Sequence, residues 1–453
     1  MQPNLKLDPN FKPAYEYIQD FLKKAQKQSG GEVKIALERN DGFTYIYQTL
    51  IIKNNKEDNL FYLERMIKSL LWLVGGFKIY FLGPEELFIE LKKMFSKNGL
   101  RKFDVGFMEK VYEQTFEVVL CDQKSFPKRK DNSVKVGRNL NGNRIGFDAG
   151  GSDVKISAVI NGEAIFSEEI VWLPKVNSDP NYHYEIIKNV MKKAAEKMPS
   201  VDAVGISSAG IYVNNKVMAA SLFIEVPEKA FKEKVKNMYV DIVKELFGDV
   251  PLEVANDGDV TALAGSMDLK ADNILGIAMG TSEAAGYIDK NGNILGWLNE
   301  LAFVPVDYHK DAMVDEWSGD YGCGVKYFSQ DSVIKLAKNT SIVIDEKLTP
   351  AQKLKIVQKL SEENHPEALE IFSTIGYYLG YAIAFYGLFY EIDNMLLLGR
   401  VTSGIGGNLI VEKANEVINN SYPHLKHIKI HMPDEMNRRV GQSIAAASLP
   451  KLG

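Results

Sequence analysis

The sequence predicts an α/β fold, and three observations carry that expectation. Short, buried-type strands at residues 78–82, 203–207, 274–279 and 395–398 alternate with segments whose apolar residues recur at helical spacing. Several of these strands run straight into glycine-containing turns, as in Ser207-Ser208-Ala209-Gly210 and Gly280-Thr281-Ser282. The chain of 453 residues, 45% hydrophobic and 25% charged, is long enough for two or three domains with a large core.

Bulk properties narrow the function classes. A net charge of −5 gives no reason to expect nucleic acid or an acidic membrane surface as partner. The only cysteines are Cys121 and Cys323, which excludes a disulfide framework and a zinc site built on three or four cysteines. The N-terminal stretch has no apolar core of a signal peptide. The most apolar run, residues 371–390, carries Gly376, Gly380 and Gly387 with several hydroxyls and reads as a buried helix. A cytoplasmic protein that engages no membrane is the expectation, and a homodimer is compatible with it.

Taken in order, residues 13–28 have helical spacing, with Pro13 in the first turn. Residues 33–37 and 43–52 read as a hairpin about Asp41-Gly42. Residues 60–74 form a helix that stops at Gly75-Gly76, and Pro84 opens another over 85–95. With strands at 78–82 and 116–120, residues 1–123 make an N-terminal α/β domain. Residues 124–143, polar and charged with Pro127 and few large apolar residues, read as a linker, and the run Lys128-Arg129-Lys130 reads as solvated rather than nucleic-acid-binding because no aromatics interleave with it.

The stretch Arg-Ile-Gly-Phe-Asp-Ala-Gly-Gly-Ser-Asp-Val-Lys-Ile-Ser-Ala-Val from Arg144 reads as strand, glycine turn, strand. Asp148 falls at the tip of the first strand. Gly150, Gly151 and Ser152 leave room for a phosphate to approach backbone N–H groups, and Asp148 beside them could hold magnesium. An ordinary hairpin explains this stretch equally well on its own. A further strand (163–172), a helix (184–197) and the strand at 203–207 repeat the element order of the N-terminal domain, suggesting a degenerate repeat whose first copy binds no phosphate. Next come a strand ending at Asn256-Asp257 and a helix from there, the strand at 274–279, and a helix opened by Gly404, Gly406 and Gly407. A closing helix over 437–449 has small residues at Ala445–Ala447.

This ordered set of motifs resembles the ROK family (repressors, open reading frames and sugar kinases) of the actin-like ATPase and hexokinase superfamily, over Arg144 to about Leu449. The resemblance implies two ribonuclease-H-like lobes with a cleft between them, at 144–265 (with the closing helix) and 266–436, in addition to the N-terminal domain. It implies ATP-dependent phosphorylation of a sugar hydroxyl, with ATP and Mg²⁺ as cofactors. Asp257 matches the catalytic aspartate, and Asn256 and Glu300 match sugar contacts, with Ser208 on the segment after the preceding strand. Gly150, Gly151, Ser152, Gly280, Thr281 and Ser282 match the two phosphate loops. Gly399, Gly406 and Gly407 match the adenosine-side glycines, and Asp148 matches the metal-side acid. The chain departs from the family at three places. Phe303 stands where the family has histidine, Val325 where it has a sugar-contacting glutamate, and only Cys323 remains of a zinc cluster, so structural zinc is not expected. Glu283 adds a negative charge next to the second phosphate loop. The departures keep a second function open, a non-catalytic sugar-binding sensor or regulator on the same fold.

The chemistry suits these residue types. Phosphoryl transfer asks mainly for positioning and charge neutralisation. A carboxylate at a strand end can take the proton from an attacking hydroxyl. The competing readings are structural: Asn256-Asp257 as a helix cap, Asp259 as a first-turn carboxylate, Glu300 as a surface acid, the 399–407 glycines as turn geometry, and Trp297, Trp317 and Tyr321 as packing aromatics. His427 and His431 lie in a strand rhythm rather than at metal-ligand spacing.

Overall fold

A computed structural model describes residues 5–130, 136–432 and 435–452. Residues 1–4 of the N-terminal stretch and 131–135 of the expected linker lie outside the described residues. The chain forms two compact units. The first comprises Met1–Asp131, Ile277–Ala285 and Trp297–Met432, and the second Asn132–Gly276, Gly286–Gly296 and Pro433–Gly453.

The second unit is built on a five-stranded sheet. The hairpin Asn143–Ala149 and Asp153–Ile160 is antiparallel, and Glu163–Val171 extends it on one side. On the other side Ala203–Ser208 runs parallel to Asn143–Ala149, and Leu252–Asn256 parallel to Ala203–Ser208. This register brings Asp148 level with Ser207, and Ala149 with Ser208, at the ends of neighbouring strands. The helix Glu435–Ala447 crosses the sheet at backbone contact. A Cβ on Gly146 would stand 1.8 Å from the Ser443 carbonyl oxygen, and one on Gly205 1.7 Å from that of Ala446. Glycine is therefore required at both positions, and the small residues of the closing helix answer them.

The first unit holds two sheets. One has the order Thr44–Leu50, Glu32–Glu38, Lys78–Leu82, Glu117–Leu120. The other continues from Glu283–Ile288 and Ile274–Met279, the strands that carry the chain between units, to Asn394–Leu398 and Lys429–His431. The apolar helix Pro366–Tyr386 is largely buried and packs closely on Gly404–Ser421. Cβ atoms at Gly376 and Gly380 would come within 2.7 Å of Ile410 or Lys413 and 2.5 Å of Val417.

One expectation is corrected. The proposed repeat fails on strand direction: Lys78–Leu82 runs antiparallel to its hairpin strand Glu32–Glu38, whereas Ala203–Ser208 runs parallel to Asn143–Ala149. Residues 5–122 keep their own sheet, yet share one compact unit with Trp297–Met432. The polar stretch at 124–143 is anchored at both ends. Lys130 exchanges backbone hydrogen bonds with Thr44 in the first unit, and Gly137 and Asn139 donate to the carbonyls of Leu449 and Ser448 in the second. Composition reports side-chain polarity and is blind to such backbone partners. The helix Lys102–Tyr112 was also absent from the sequence reading.

Residues 5–122 are fixed to the rest of their unit by a buried ionic network. The Lys56–Leu73 helix supplies Glu64, Arg65 and Lys68, and Arg101 and Asp104 lie at the start of Lys102–Tyr112. Asp320 receives Arg65 at 2.9 Å, Arg101 at 2.9 Å and Lys68 at 3.1 Å. Lys68 also reaches Asp104 at 3.1 Å, and Arg65 reaches Glu64 at 2.9 Å. Three cations face three acids, of which Glu64 is pushed up to about 7 by burial. Burial opposes the charged form of Arg65, but Glu64 and Asp320 outweigh it and raise its pKa. Removing one partner strands the others, which costs about 3–5 kcal/mol for a buried pair. Arg65→Met is therefore expected to lower the urea-unfolding free energy of the full chain by about that amount, a far larger loss than for exposed pairs such as Lys56–Glu90.

Candidate functional site

In the second unit the Ala149–Ser152 turn is tightly made. Gly150 N–H donates to the Asp153 carbonyl at 2.9 Å, and the Trp172 indole N–H donates to the Gly150 carbonyl at 2.8 Å. Gly151 and Ser152 are exposed, and a Cβ on Gly151 would stand 3.4 Å from Lys175 Nζ. This turn therefore carries a cation of its own, which suits an anion.

Asp148 is buried at the strand end below the turn. Burial raises its pKa, against the Ser207 hydroxyl, which donates to it at 2.7 Å, and Lys155, whose Nζ lies 3.6 Å away. Lys155 also reaches Asp153 at 3.1 Å. Among the described residues no three His, Cys, Asp or Glu side chains converge as a metal set. Mg²⁺ commonly takes only one or two carboxylates, with phosphates and water completing its shell, so the donor set at Asp148 fits that ion without a third protein ligand.

Leu252–Asn256 ends beside this group and the helix Asp257–Leu269 begins at once. Asn256 caps it: its side-chain oxygen accepts from Gly258 N–H at 2.8 Å, while its Nδ2 donates to the Gly210 carbonyl at 2.7 Å. The helix-cap reading is thus correct for Asn256, and it fixes Asp257 as the first helical residue. Burial, then the charge of Asp148, pushes the Asp257 carboxyl up to about 6. Asp259 points elsewhere and accepts from the Tyr287 N–H at 3.1 Å.

Ser208, expected to meet substrate, is fully buried. Tyr212 donates to its hydroxyl at 2.6 Å, and Tyr239 shares a hydrogen bond with it at 2.9 Å. Its geometry is that of a hydroxyl engaged in the interior beneath Asn256-Asp257.

In the first unit, the Gly280–Ser282 turn is closed by Gly280 N–H donating to the Ser282 carbonyl at 3.0 Å, and Thr281 and Ser282 are exposed. Glu283 follows them, but its side chain turns inward and is only 4% exposed. Its charge does not face the loop.

Glu300 is placed by residues far earlier in the chain. Its N–H donates to the Trp72 carbonyl and the Asn299 N–H to that of Leu73, both at 3.0 Å, satisfying the end of the Lys56–Leu73 helix. Phe303 is buried among aromatic rings, 4.3 Å from Trp72 and 5.1 Å from Trp317 between centroids, with Phe103 alongside. Trp317 is 65% exposed on this cluster. Trp297 packs on Tyr45 and Tyr390, and Tyr321 lies on Arg65. Val325 sits in the short turn Gly324–Lys326.

The 399–407 glycines have packing reasons of their own. Gly399 has φ +96°, and a Cβ there would stand 2.3 Å from the Met279 carbonyl oxygen. Cβ atoms on Gly406 and Gly407 would meet Phe372 at 2.7 Å and the Thr402 carbonyl at 1.9 Å. At the start of the Gly404–Ser421 helix, Ile405 N–H donates to Glu362 at 2.9 Å, so a carboxylate of this chain already occupies part of that helix end.

The structure thus brings together Asp148, Ser207, Asn256 and Asp257 in one unit. In the other it brings Glu300 beside Glu283. Lys155, Lys175, Glu362 and the two tyrosines were missed. Lys155 alone carried a signal, since the period of two places it on the same hairpin opposite Asp148.

No family model matches the chain, and no curated protein matches it in sequence. Solved structures match its fold. A ROK family transcriptional regulator, a homologue of the E. coli MLC protein, is 18% identical with a TM-score of 0.54, over 68% of this chain and 79% of its own. The ROK hexokinase of Thermus thermophilus is 13% identical with a TM-score of 0.51, over 67% and 97%. A ROK family protein of Streptococcus pneumoniae, solved with sucrose, is 10% identical with a TM-score of 0.50, also over 67% and 97%. The chain has the α/β fold of the ROK and hexokinase proteins, and its structural neighbours are both sugar kinases and a regulator.

The raised pKa of Asp257 is itself testable. A carboxyl held above its ordinary value is a stability cost that appears as pH rises from about 4 to about 6, where the folded form retains the proton longer than the unfolded one. Asp257→Asn escapes that cost. Urea unfolding should show the variant gaining on the wild type between pH 4 and pH 7, by on the order of 1–2 kcal/mol, given partial exposure. A constant difference across that range would contradict the shift.

Proposed function

We propose that this chain belongs to the ROK family and transfers the γ-phosphate of ATP to a hydroxyl of a hexose or hexose derivative, with Asp257 as general base. The observation that carries the reading is Asp257 itself: a carboxyl fixed at the first turn of a helix by the Asn256 cap, held near neutral pKa by burial and Asp148. Such a group is ionised at pH 7 and still basic enough to accept a proton from an attacking hydroxyl. Asn256, Glu300 and Ser208 serve the sugar side, Ser208 by orienting Tyr212 and Tyr239 under the strand end. The Gly150–Ser152 turn, with Lys175, and the Gly280–Ser282 turn offer N–H groups and hydroxyls to phosphates. Gly399, Gly406 and Gly407 shape the adenosine side. Asp148 would hold Mg²⁺, which would supply charge neutralisation on the phosphates; Ser207 orients this carboxylate and Lys155 balances its charge.

A second reading, a sugar-binding regulator without turnover, is favoured by two observations. Lys155 lies within 3.6 Å of Asp148, where a metal would bind, and Glu362 caps the Gly404–Ser421 helix. Calorimetry separates the two: sugar binding without ATP binding supports the regulator.

Under the kinase reading, coupled ADP release over a panel of sugars should show sugar-dependent turnover. Asp257→Asn should reduce it at least about a hundredfold. The kcat/KM of the wild type should fall as pH drops below about 6, where Asp257 takes up its proton. Equal turnover in both proteins would remove Asp257 as the base.

A further inference from the structure

One buried residue holds the Gly150–Ser152 turn from behind. Trp172 is 1% exposed, and both of its N–H groups donate to this turn. The indole N–H meets the Gly150 carbonyl at 2.8 Å, and the backbone N–H meets the Ser152 carbonyl at 3.1 Å. Gly151 and Ser152 are exposed, and among the described residues their N–H groups donate to no protein acceptor. Two carbonyls of the turn are thus engaged by Trp172, while two of its N–H groups stay open.

The geometry of the peptide unit gives this arrangement a consequence. In a trans peptide the C=O and N–H point in opposite directions. The Gly150 carbonyl and the Gly151 N–H belong to one such unit, so the bond to the buried indole aims the Gly151 N–H away from it. A unit flanked by two glycines rotates easily, because glycine accepts both signs of φ. Unheld, this one could turn its carbonyl toward an anion and repel it. Filling the core beside Ile187 and Phe223 asks only for an apolar ring at 172, and the indole N–H is surplus to that task. The segment after Trp172 is fixed as well. Leu173 N–H donates to the Tyr182 hydroxyl at 2.9 Å, and a His183 ring nitrogen lies 3.1 Å from the Pro174 carbonyl. That segment carries Lys175, which has no ion pair among the described residues and stands 3.4 Å from where a Cβ on Gly151 would lie.

We propose that Trp172 is a positioning residue for a nucleotide phosphate. It fixes the Gly150–Gly151 peptide with its N–H outward, and it anchors the segment that brings Lys175 to the same turn. Trp172 touches no ligand and acts through the turn, by orienting a backbone dipole before the anion arrives. This inference rests on the ATP-binding reading of the preceding section and adds the residue that keeps the turn in its anion-binding orientation.

Calorimetry on the full chain with Mg²⁺ tests it. The non-hydrolysable nucleotide AMPPNP is the phosphate-bearing probe, and adenosine is its phosphate-free counterpart. Two variants remove the indole N–H. One is Trp172→Phe; the other replaces Trp172 with benzothienylalanine, which keeps the bicyclic shape and puts sulfur in place of the N–H. Each should bind AMPPNP about 3- to 10-fold more weakly than the wild type and adenosine to within about twofold of it. The isostere decides the matter if the Phe variant fails to fold. Unchanged AMPPNP affinity in the isostere, or an equal loss for AMPPNP and adenosine, would overturn the positioning role while leaving nucleotide binding intact. A wild type that binds no AMPPNP would overturn both this role and the reading beneath it.

Discussion

The first unit depends on a knot of six buried ionisable side chains. Glu64, Arg65, Lys68, Arg101, Asp104 and Asp320 are almost without solvent, and each charge is tolerable only because the others are present. The knot ties two N-terminal helices to the stretch around Asp320. That stretch holds Cys323, whose thiol is pushed up to about 12 by burial and so carries no ready thiolate. Replacing such a knot with apolar residues could be neutral for stability, so its value lies in specifying one arrangement. The arrangement specified includes the end of the Lys56–Leu73 helix, whose last carbonyls position Asn299 and Glu300. The N-terminal segment therefore shapes the Glu300 loop, and Phe103 of Lys102–Tyr112 packs beside Phe303.

The second unit rests on a different constraint, the contact of helix backbone on sheet backbone at Gly146 and Gly205. That contact fixes the strand ends from which Asp148, Ser207 and Asn256 project. Two acids then share a shielded environment, and their partners differ. Burial raises the Asp148 carboxyl against a hydroxyl and an ammonium group that favour its charged form. Asp257 has backbone N–H and the repulsion of Asp148, which suits a proton acceptor.

Local signals in the sequence were reliable where the physics is local. The hairpin about Gly150-Gly151, the strand into Asn256-Asp257 and the helix after it are set by alternation, glycine and a cap, and each is found where these residues place it. What composition hid were contacts between residues far apart in sequence. Nothing in Phe303 alone foretells Trp72 and Phe103, and nothing in Glu283 alone says that it turns away from its exposed neighbours into the space beside Gly324. The false repeat arose for the same reason: element order is visible along the chain, whereas strand direction is decided by pairing across it.

Product analysis of ATP labelled in its γ-phosphate tests the proposed transfer of a phosphoryl group to a sugar oxygen most directly. Incubated with the full chain, Mg²⁺ and a neutral sugar that it binds, the label should move into an organic phosphate ester. Label that stays in ATP, or appears only as inorganic phosphate, would contradict it.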